Sequence, residues 1–256
     1  VGQSKKHHYQ VSIGSIKIGR KPVQLQVAVA KINKYATAES GDTLEMVERP
    51  QGGMSFVLVD GQRSGRSAKR ISNLVARKAI GLLAEGVRDG AAARAAHDYL
   101  VTHRQGKVSA TLNIVSVDMV SRTLVLSRNS HCPIYVVRPD GITVLDEESK
   151  QVGIYRNTKP IVTELPLEAP MVAVVFTDGV LTAGARHSKS LDVPALLQKI
   201  CPDGNAPAQV VADAIYDAAQ ALDDGRPLDD ISVLVAAVLP KKNGDNTRRL
   251  RIEFPL

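Results

Sequence analysis

Apolar and polar positions along the chain alternate, run together or recur at helical spacing, and each habit marks an element. "YQVSIGSIKI" (9–18) and "VQLQVAVAKINKY" (23–35) flank the break "GRKP" and predict two strands. "ESGD" (39–42) reads as a polar turn, and "GGMSFVLVD" (52–60) as the next strand. From Ser67 to about Ala84, Ile71, Leu74, Val75, Ala79 and Leu82 recur at three and four residues, which predicts a helix. "RDG" interrupts it, and "AAARAAHDYLVTHR" (91–104) continues as an alanine-rich second helix.

Strands are then predicted in quick succession: "SATLNIVSVD" (109–118), "RTLVLSRNS" (122–130), "IYVVRPDG" (134–141) and "ITVLD" (142–146). "RPDG" is a hairpin signal. A loop, "EESKQVGIYRNTKP" (147–160), leads to strands over "IVTELPL" (161–167) and "MVAVVFTDG" (171–179). "VPALLQKI" (193–200) and "PAQVVADAIYDAAQAL" (207–222) read as helices, and "ISVLVAAVL" (231–239) as a last strand. Helices gathered in blocks between runs of strands predict an α+β fold with largely antiparallel sheets rather than a doubly wound parallel one.

Composition changes this picture little. A chain of 256 residues buries a core easily, and no apolar run approaches a membrane span. The first residue is Val and no charged-then-apolar leader follows, so the start reads as a cut end and not a signal peptide. Cys132 and Cys201 give neither metal spacing nor a disulfide framework, which fits a reducing cytoplasm. The net charge of +7 owes much to two segments. The tail "KKNGDNTRRLRIEFPL" sets five basic residues against two acidic ones, and Arg66, Arg70 and Arg77 share a narrow stripe of one helix. With no Trp and three Phe, stacking partners for a nucleic acid are lacking. The stripe reads as a solvated face, or next as contact for an acidic or phosphorylated protein.

Candidate chemistry lies at strand ends. Asp60 and Asp178 each close an apolar strand and precede a glycine, while Asp229 and Asp230 stand at the entrance of another strand. If that strand runs antiparallel to the other two, its entrance lies beside their exits, so three segments bring carboxylates to one edge, and Asp42 in "SGD" would add a fourth segment. Asp-Gly pairs are also ordinary turn chemistry. Clustered carboxylates repel one another unless a cation compensates, and an all-oxygen set suits Mg²⁺ or Mn²⁺ rather than Zn²⁺. Two such ions favour phosphate ester hydrolysis. The glycines, Gly61 among them, would permit tight turns and close approach of a ligand or metal.

"SGD", "VDGQRSG", "NSHCPIYVVRPDG", "QVGI", "VVFTDGVLTA" and "LDDISVLVAAV" occur in the order seen in the metal-dependent (type 2C) protein phosphatases. Over about residues 25–240 the chain most resembles the branch of the stage II sporulation phosphatase and the bacterial sigma-factor regulators. The resemblance implies a four-layer α-β-β-α sandwich of two mainly antiparallel sheets with a site for two Mn²⁺ or Mg²⁺ ions. It implies metal-ligand roles for Asp42, Asp60, the Gly61 carbonyl, Asp178 and Asp229, with Asp230 capping or orienting its strand. It further implies a phosphoserine/phosphothreonine protein phosphatase using a metal-activated water, with a phosphoprotein substrate such as an anti-anti-sigma-type regulator. A homodimer or a sensor domain would be the route of control, through rearrangement of the two helices over about 67–104, with the 67–85 helix the candidate switch. The rival reading keeps the fold as a protein-binding regulator with weak catalysis.

Departures from the family pattern raise further candidates. Arg63 stands where a small residue is usual, and Arg63 or Arg66 reads either as a clamp for substrate phosphate or as a surface arginine. Asn129 and Ser130 precede His131, which is tempting as a general acid but more simply a structural loop histidine. Cys132 reads as a small packed residue. Residues 1–240 are expected to form the phosphatase domain, and 241–256 a basic extension that is an edge strand or a tail.

Overall fold

The computed structural model describes residues 22–241 and 247–253. Ten strands form two five-stranded sheets, every described pairing antiparallel. The first sheet has the order β1 (Val23–Ile32), β10 (Ile231–Pro240), β9 (Met171–Phe176), β6 (Ile134–Arg138), β7 (Gly141–Leu145). The second has β2 (Asp42–Glu48), β3 (Gly53–Gly61), β4 (Ala110–Asp118), β5 (Thr123–Asn129), β8 (Ile161–Pro166). The strand expected over residues 9–18 lies outside the described residues.

Period-two alternation sorts each central strand between two cores. Phe56 and Leu58 of β3 join Val115, Met171, Ala173, Val175, Leu234 and Ala236 between the sheets. Val57 and Val59 face the other way, onto α1 (Gly65–Ala84) and α2 (Asp89–Arg104). Val172, Val174 and Phe176, with Val233 and Val235, pack against α4 (Val193–Ile200) and α5 (Ala208–Leu222). The result is the expected four-layer α-β-β-α sandwich. The first helix buries Ala68, Ile71, Val75, Ala79 and Leu83 at helical spacing, and leaves Arg66, Arg70 and Arg77 exposed as a solvated face.

Three local results differ from the expectations. Residues 42–48 form a strand, β2, where only a turn is predicted, and a four-residue helix, α3 (Gly179–Thr182), follows Asp178. The strand carrying Asp60 does not lie in the same sheet as the one that Asp229 and Asp230 enter: β10 pairs with β9 and β1, and β3 with β2 and β4. In the tail, residues 247–253 adopt neither helix nor strand, and Arg248 pairs with Glu48 at 3.1 Å. Among the described residues no helix is long and apolar enough to cross a membrane.

Candidate functional site

One end of the sandwich receives carboxylates from both sheets. Asp42 opens β2 and stands directly opposite Asp60 near the end of β3. In the other sheet Asp178 leaves β9, and Asp229 and Asp230 immediately precede β10; Thr177 N–H donates to the Ser232 carbonyl at 3.0 Å and ties these ends together. The two pairs meet through hydroxyls. Thr177 Oγ1 donates to Asp42 Oδ2 at 2.9 Å and Ser232 Oγ donates to the same oxygen at 2.6 Å, so side chains of one sheet hold a carboxylate of the other.

The backbone of Asp42 is fixed just as firmly. Lys31 Nζ and Lys69 Nζ donate to its carbonyl at 2.7 and 2.6 Å. Although Lys31 is an exposed residue, desolvation of its ammonium and the neighbouring Lys69 charge lower its pKa to about 8. Asp230 is buried and accepts from the amides of Lys34 (2.8 Å) and Gly41 (2.7 Å), so it shapes the β1–β2 loop, in keeping with an orienting role.

The glycines of the two Asp-Gly pairs serve packing, not turn conformation. Neither Gly61 nor Gly179 has a positive φ. A Cβ on Gly61 would lie 2.1 Å from the Ala68 carbonyl oxygen of α1, and one on Gly179 would lie 2.1 Å from the Asp230 carbonyl oxygen. The close approach expected of a ligand or metal is made by the chain's own backbone.

Burial and like charge set the electrostatics. Burial raises the carboxyl of Asp60 to about 9, with further push from Asp42, Asp178 and Asp229. Burial raises Asp42 to about 7 against the opposing pull of the Ser232 and Thr177 hydrogen bonds. Asp229 is also raised, by desolvation first and Asp178 among the lesser causes. Asp42 Oδ1 is buried and has no hydrogen-bond partner among the described residues. Among the described residues no three or more His, Cys, Asp or Glu side chains stand close enough together to hold a metal ion as they are. Hard cations such as Mg²⁺ keep several waters and take only one or two carboxylates each, and the side chains would have to draw together around one. The all-oxygen set, the mutual repulsion of its carboxylates and the unpartnered oxygen fit such an ion.

The other candidates divide. Arg63 and Arg66 are exposed on the turn into α1, beside the end of β3, with Arg63 at φ 80°. His131 is half exposed, with Nε2 3.9 Å from Asp178 Oδ2. Cys132 is buried, and desolvation raises its thiol to about 12, as befits a packed residue. Thr177, Ser232, Lys31 and Lys69 are the residues that sequence reasoning missed. The first two sit inside the motifs "FTDG" and "DDIS", flanking the recognised aspartates; no pattern marks the lysines.

Comparison with known proteins agrees with this architecture. The model of the stage II sporulation protein E (SpoIIE) family matches residues 50–239, well over half of the chain. No curated protein matches in sequence. A structure of the PP2C phosphatase domain and a fragment of the regulatory domain of SpoIIE from Bacillus subtilis superposes with TM-score 0.71 at 20% identity, covering 87% of this chain and 65% of that one. The RsbU and RsbW domains of Rv1364c from Mycobacterium tuberculosis give 0.68 at 17% identity, covering 88% and 62%. The catalytic domain of the serine threonine protein phosphatase PstP, in complex with 2 manganese ions, gives 0.62 at 17% identity, covering 85% and all of that chain. This chain thus spans about two thirds of the first two. Fold, motif order and family match converge: the chain belongs to the stage II sporulation protein E family of PP2C-type proteins.

Proposed function

We infer that the chain is a Mn²⁺- or Mg²⁺-dependent phosphoserine/phosphothreonine protein phosphatase. One observation carries this reading: carboxylates from both sheets meet at one end of the sandwich, and one of them keeps a buried oxygen without a partner among the described residues. Asp42, Asp60, Asp178 and Asp229, with the Gly61 carbonyl, would hold two ions. The similar PstP domain, solved with 2 manganese ions, supports that number. When bound, the ions supply Lewis acidity and lower the pKa of the water that attacks phosphorus.

The chain's own residues prepare the site. Ser232 and Thr177 fix Asp42 Oδ2 and leave Oδ1 available, while Lys31 and Lys69 hold its backbone. Arg63 and Arg66, unpaired among the described residues at the rim, are the groups we assign to the substrate phosphate, since a guanidinium grips phosphate bidentately. His131, half exposed and 3.9 Å from Asp178 Oδ2, is the group we assign to protonation of the leaving oxygen, over the plainer reading of a structural loop histidine. The substrate we assign is a regulatory phosphoprotein of the anti-anti-sigma type, in a cytoplasmic signalling pathway. Control through dimerisation or an attached regulatory domain belongs to the same reading, supported by the regulatory segment in the similar SpoIIE structure.

Hydrolysis of an aryl phosphate with Mn²⁺, Mg²⁺ or chelator, in wild type and Asp178→Asn, tests the reading. Metal-dependent turnover that falls about 100-fold or more in the variant is expected. Absence of turnover with either metal, together with no ion binding by calorimetry, would replace it with the protein-binding regulator.

A further inference from the structure

The 146–160 loop between β7 and β8 carries a feature that the carboxylate site does not use. It forms an open, solvent-facing cavity of about 390 Å³ whose lining includes Ser149, Lys150, Arg156, Thr158 and Lys159, with Glu148 the one acid of that lining and Asp146 and Glu147 just before it in the loop. Lys150, Arg156 and Lys159 are exposed, and none has an ion pair among the described residues.

The cavity is held by the fold. Asn129, at the end of β5, donates through Nδ2 to the carbonyls of both Lys150 (2.9 Å) and Lys159 (3.2 Å), which pins the two ends of the basic segment together. Gly153 N–H donates to Nδ1 of buried His97 on α2 at 3.0 Å, and Thr158 Oγ1 donates to the Tyr155 carbonyl at 2.8 Å. Lys150 Nζ lies 5.1 Å from the Tyr155 ring centre, and Ile154 and Tyr155 expose an apolar shoulder beside the cations.

The loop also sits beside the carboxylates. Val152 pairs with Ala110 through both backbone hydrogen bonds (3.0 and 2.9 Å), and Ala110 stands opposite Gly61, the residue after Asp60. Two strand spacings, about 10 Å, therefore separate the end of β3 from Val152, and the Lys150 and Lys159 backbones, held by Asn129 of β5, lie about one spacing further. An extended peptide advances at most about 3.3–3.6 Å per residue, so side chains about three to six positions from a residue held at the carboxylates would reach the basic cavity.

Resting on the phosphatase reading, we propose that Lys150, Arg156 and Lys159 form a docking site for an acidic segment of the phosphoprotein, about three to six residues from the phosphorylated side chain. Three cations around one cavity select against basic flanks, and they offset the repulsion an acidic substrate meets at the four carboxylates.

The test compares two phosphoserine peptides, one with Asp and Glu three to six positions to either side and one with Gln and Asn there. Hydrolysis is measured with Mn²⁺ in wild type and in the Lys150→Glu/Arg156→Glu/Lys159→Glu variant. The readout is the ratio of kcat/KM for the two peptides within each protein. Each exposed charge pair is worth a factor of about two, so three give a preference of about tenfold in wild type. The ratio should fall to about one or below in the variant. A second arm measures anisotropy of a labelled acidic peptide without phosphate on chelated protein. Binding should weaken several-fold on going from low to high salt and be lost in the variant. A wild-type ratio near one, or one unchanged in the variant, overturns the proposal. So does displacement of the peptide by inorganic pyrophosphate or a DNA oligomer at equal or lower concentration. Should wild type hydrolyse neither peptide nor aryl phosphate with any metal, and calorimetry show no ion binding, the phosphatase reading fails, and the anisotropy arm decides the docking site alone.

Discussion

Replacing Asp60 with Asn should stabilise the metal-free protein. In the unfolded chain this carboxyl ionises near 3.8, whereas in the fold burial and the charges of Asp42, Asp178 and Asp229 keep it protonated up to about 9. Each pH unit between those limits costs the folded state ~1.36 kcal/mol, which sums to a ceiling of ~5 kcal/mol at about pH 7.5. Asp60 is half-buried, so solvent screening reduces this, and a gain of ~2–3 kcal/mol is expected for Asp60→Asn. For a domain of this size that amounts to a rise in Tm of about 5–10 °C.

The sign fixes the pH dependence. Between the two pKa values the folded state binds more protons than the unfolded state, so wild-type stability falls as pH rises from about 4 to about 9. The advantage of Asp60→Asn should accordingly be small near pH 5 and grow towards pH 9. Urea unfolding in chelator at several pH values measures it. With saturating Mn²⁺ the order should reverse, because ligand binding stabilises the protein that retains the carboxylate. An Asp60→Asn variant that is no more stable than wild type in chelator, or whose gain does not vary with pH, would refute the electrostatic reasoning. A gain that persists unchanged in Mn²⁺ would count against Asp60 as a metal ligand.

Gly61→Ala should destabilise the fold by about 3 kcal/mol, since its Cβ would meet the Ala68 carbonyl oxygen at 2.1 Å and α1 would have to move; urea unfolding measures this, and a neutral substitution would show that the helix yields freely. Cys132, buried with its thiol raised to about 12, should resist alkylation in native protein at about pH 8 and react fully once unfolded; rapid modification of native protein would reveal an opening of the site that the structure lacks.

Most strands and the main helices were legible because period two and helical spacing report which faces are buried. β2 was not, for a physical reason. It is the edge strand of its sheet, and its sequence "DTLEMVE" places three acidic residues among four others, so its apolar signal is short and interrupted. Asp42 thereby looked like part of a turn when it is the first residue of a strand, with a partner, Asp60, directly across the ladder.

The carboxylates were legible as strand-end residues, but the way they meet was not. Antiparallel pairing explains only half of it: β9 and β10 are neighbours, whereas β3 belongs to the opposite sheet. What joins the halves is a pair of hydroxyls, Thr177 and Ser232, both on one oxygen of Asp42. A hydroxyl beside a strand-end aspartate carries no distinctive sequence signal, and its partner lies 135 or 190 positions away. The same holds for Lys31 and Lys69, whose convergence on one carbonyl needs both the β1 register and the placement of α1. The glycines complete the argument. Gly61 admits α1 and Gly179 admits the backbone of Asp230, so each Asp-Gly pair sets a carboxylate at a strand end and lets a second segment close against the residue behind it. The chain repeats that device because it has two sheets to bring together, once from each side of the same acidic site.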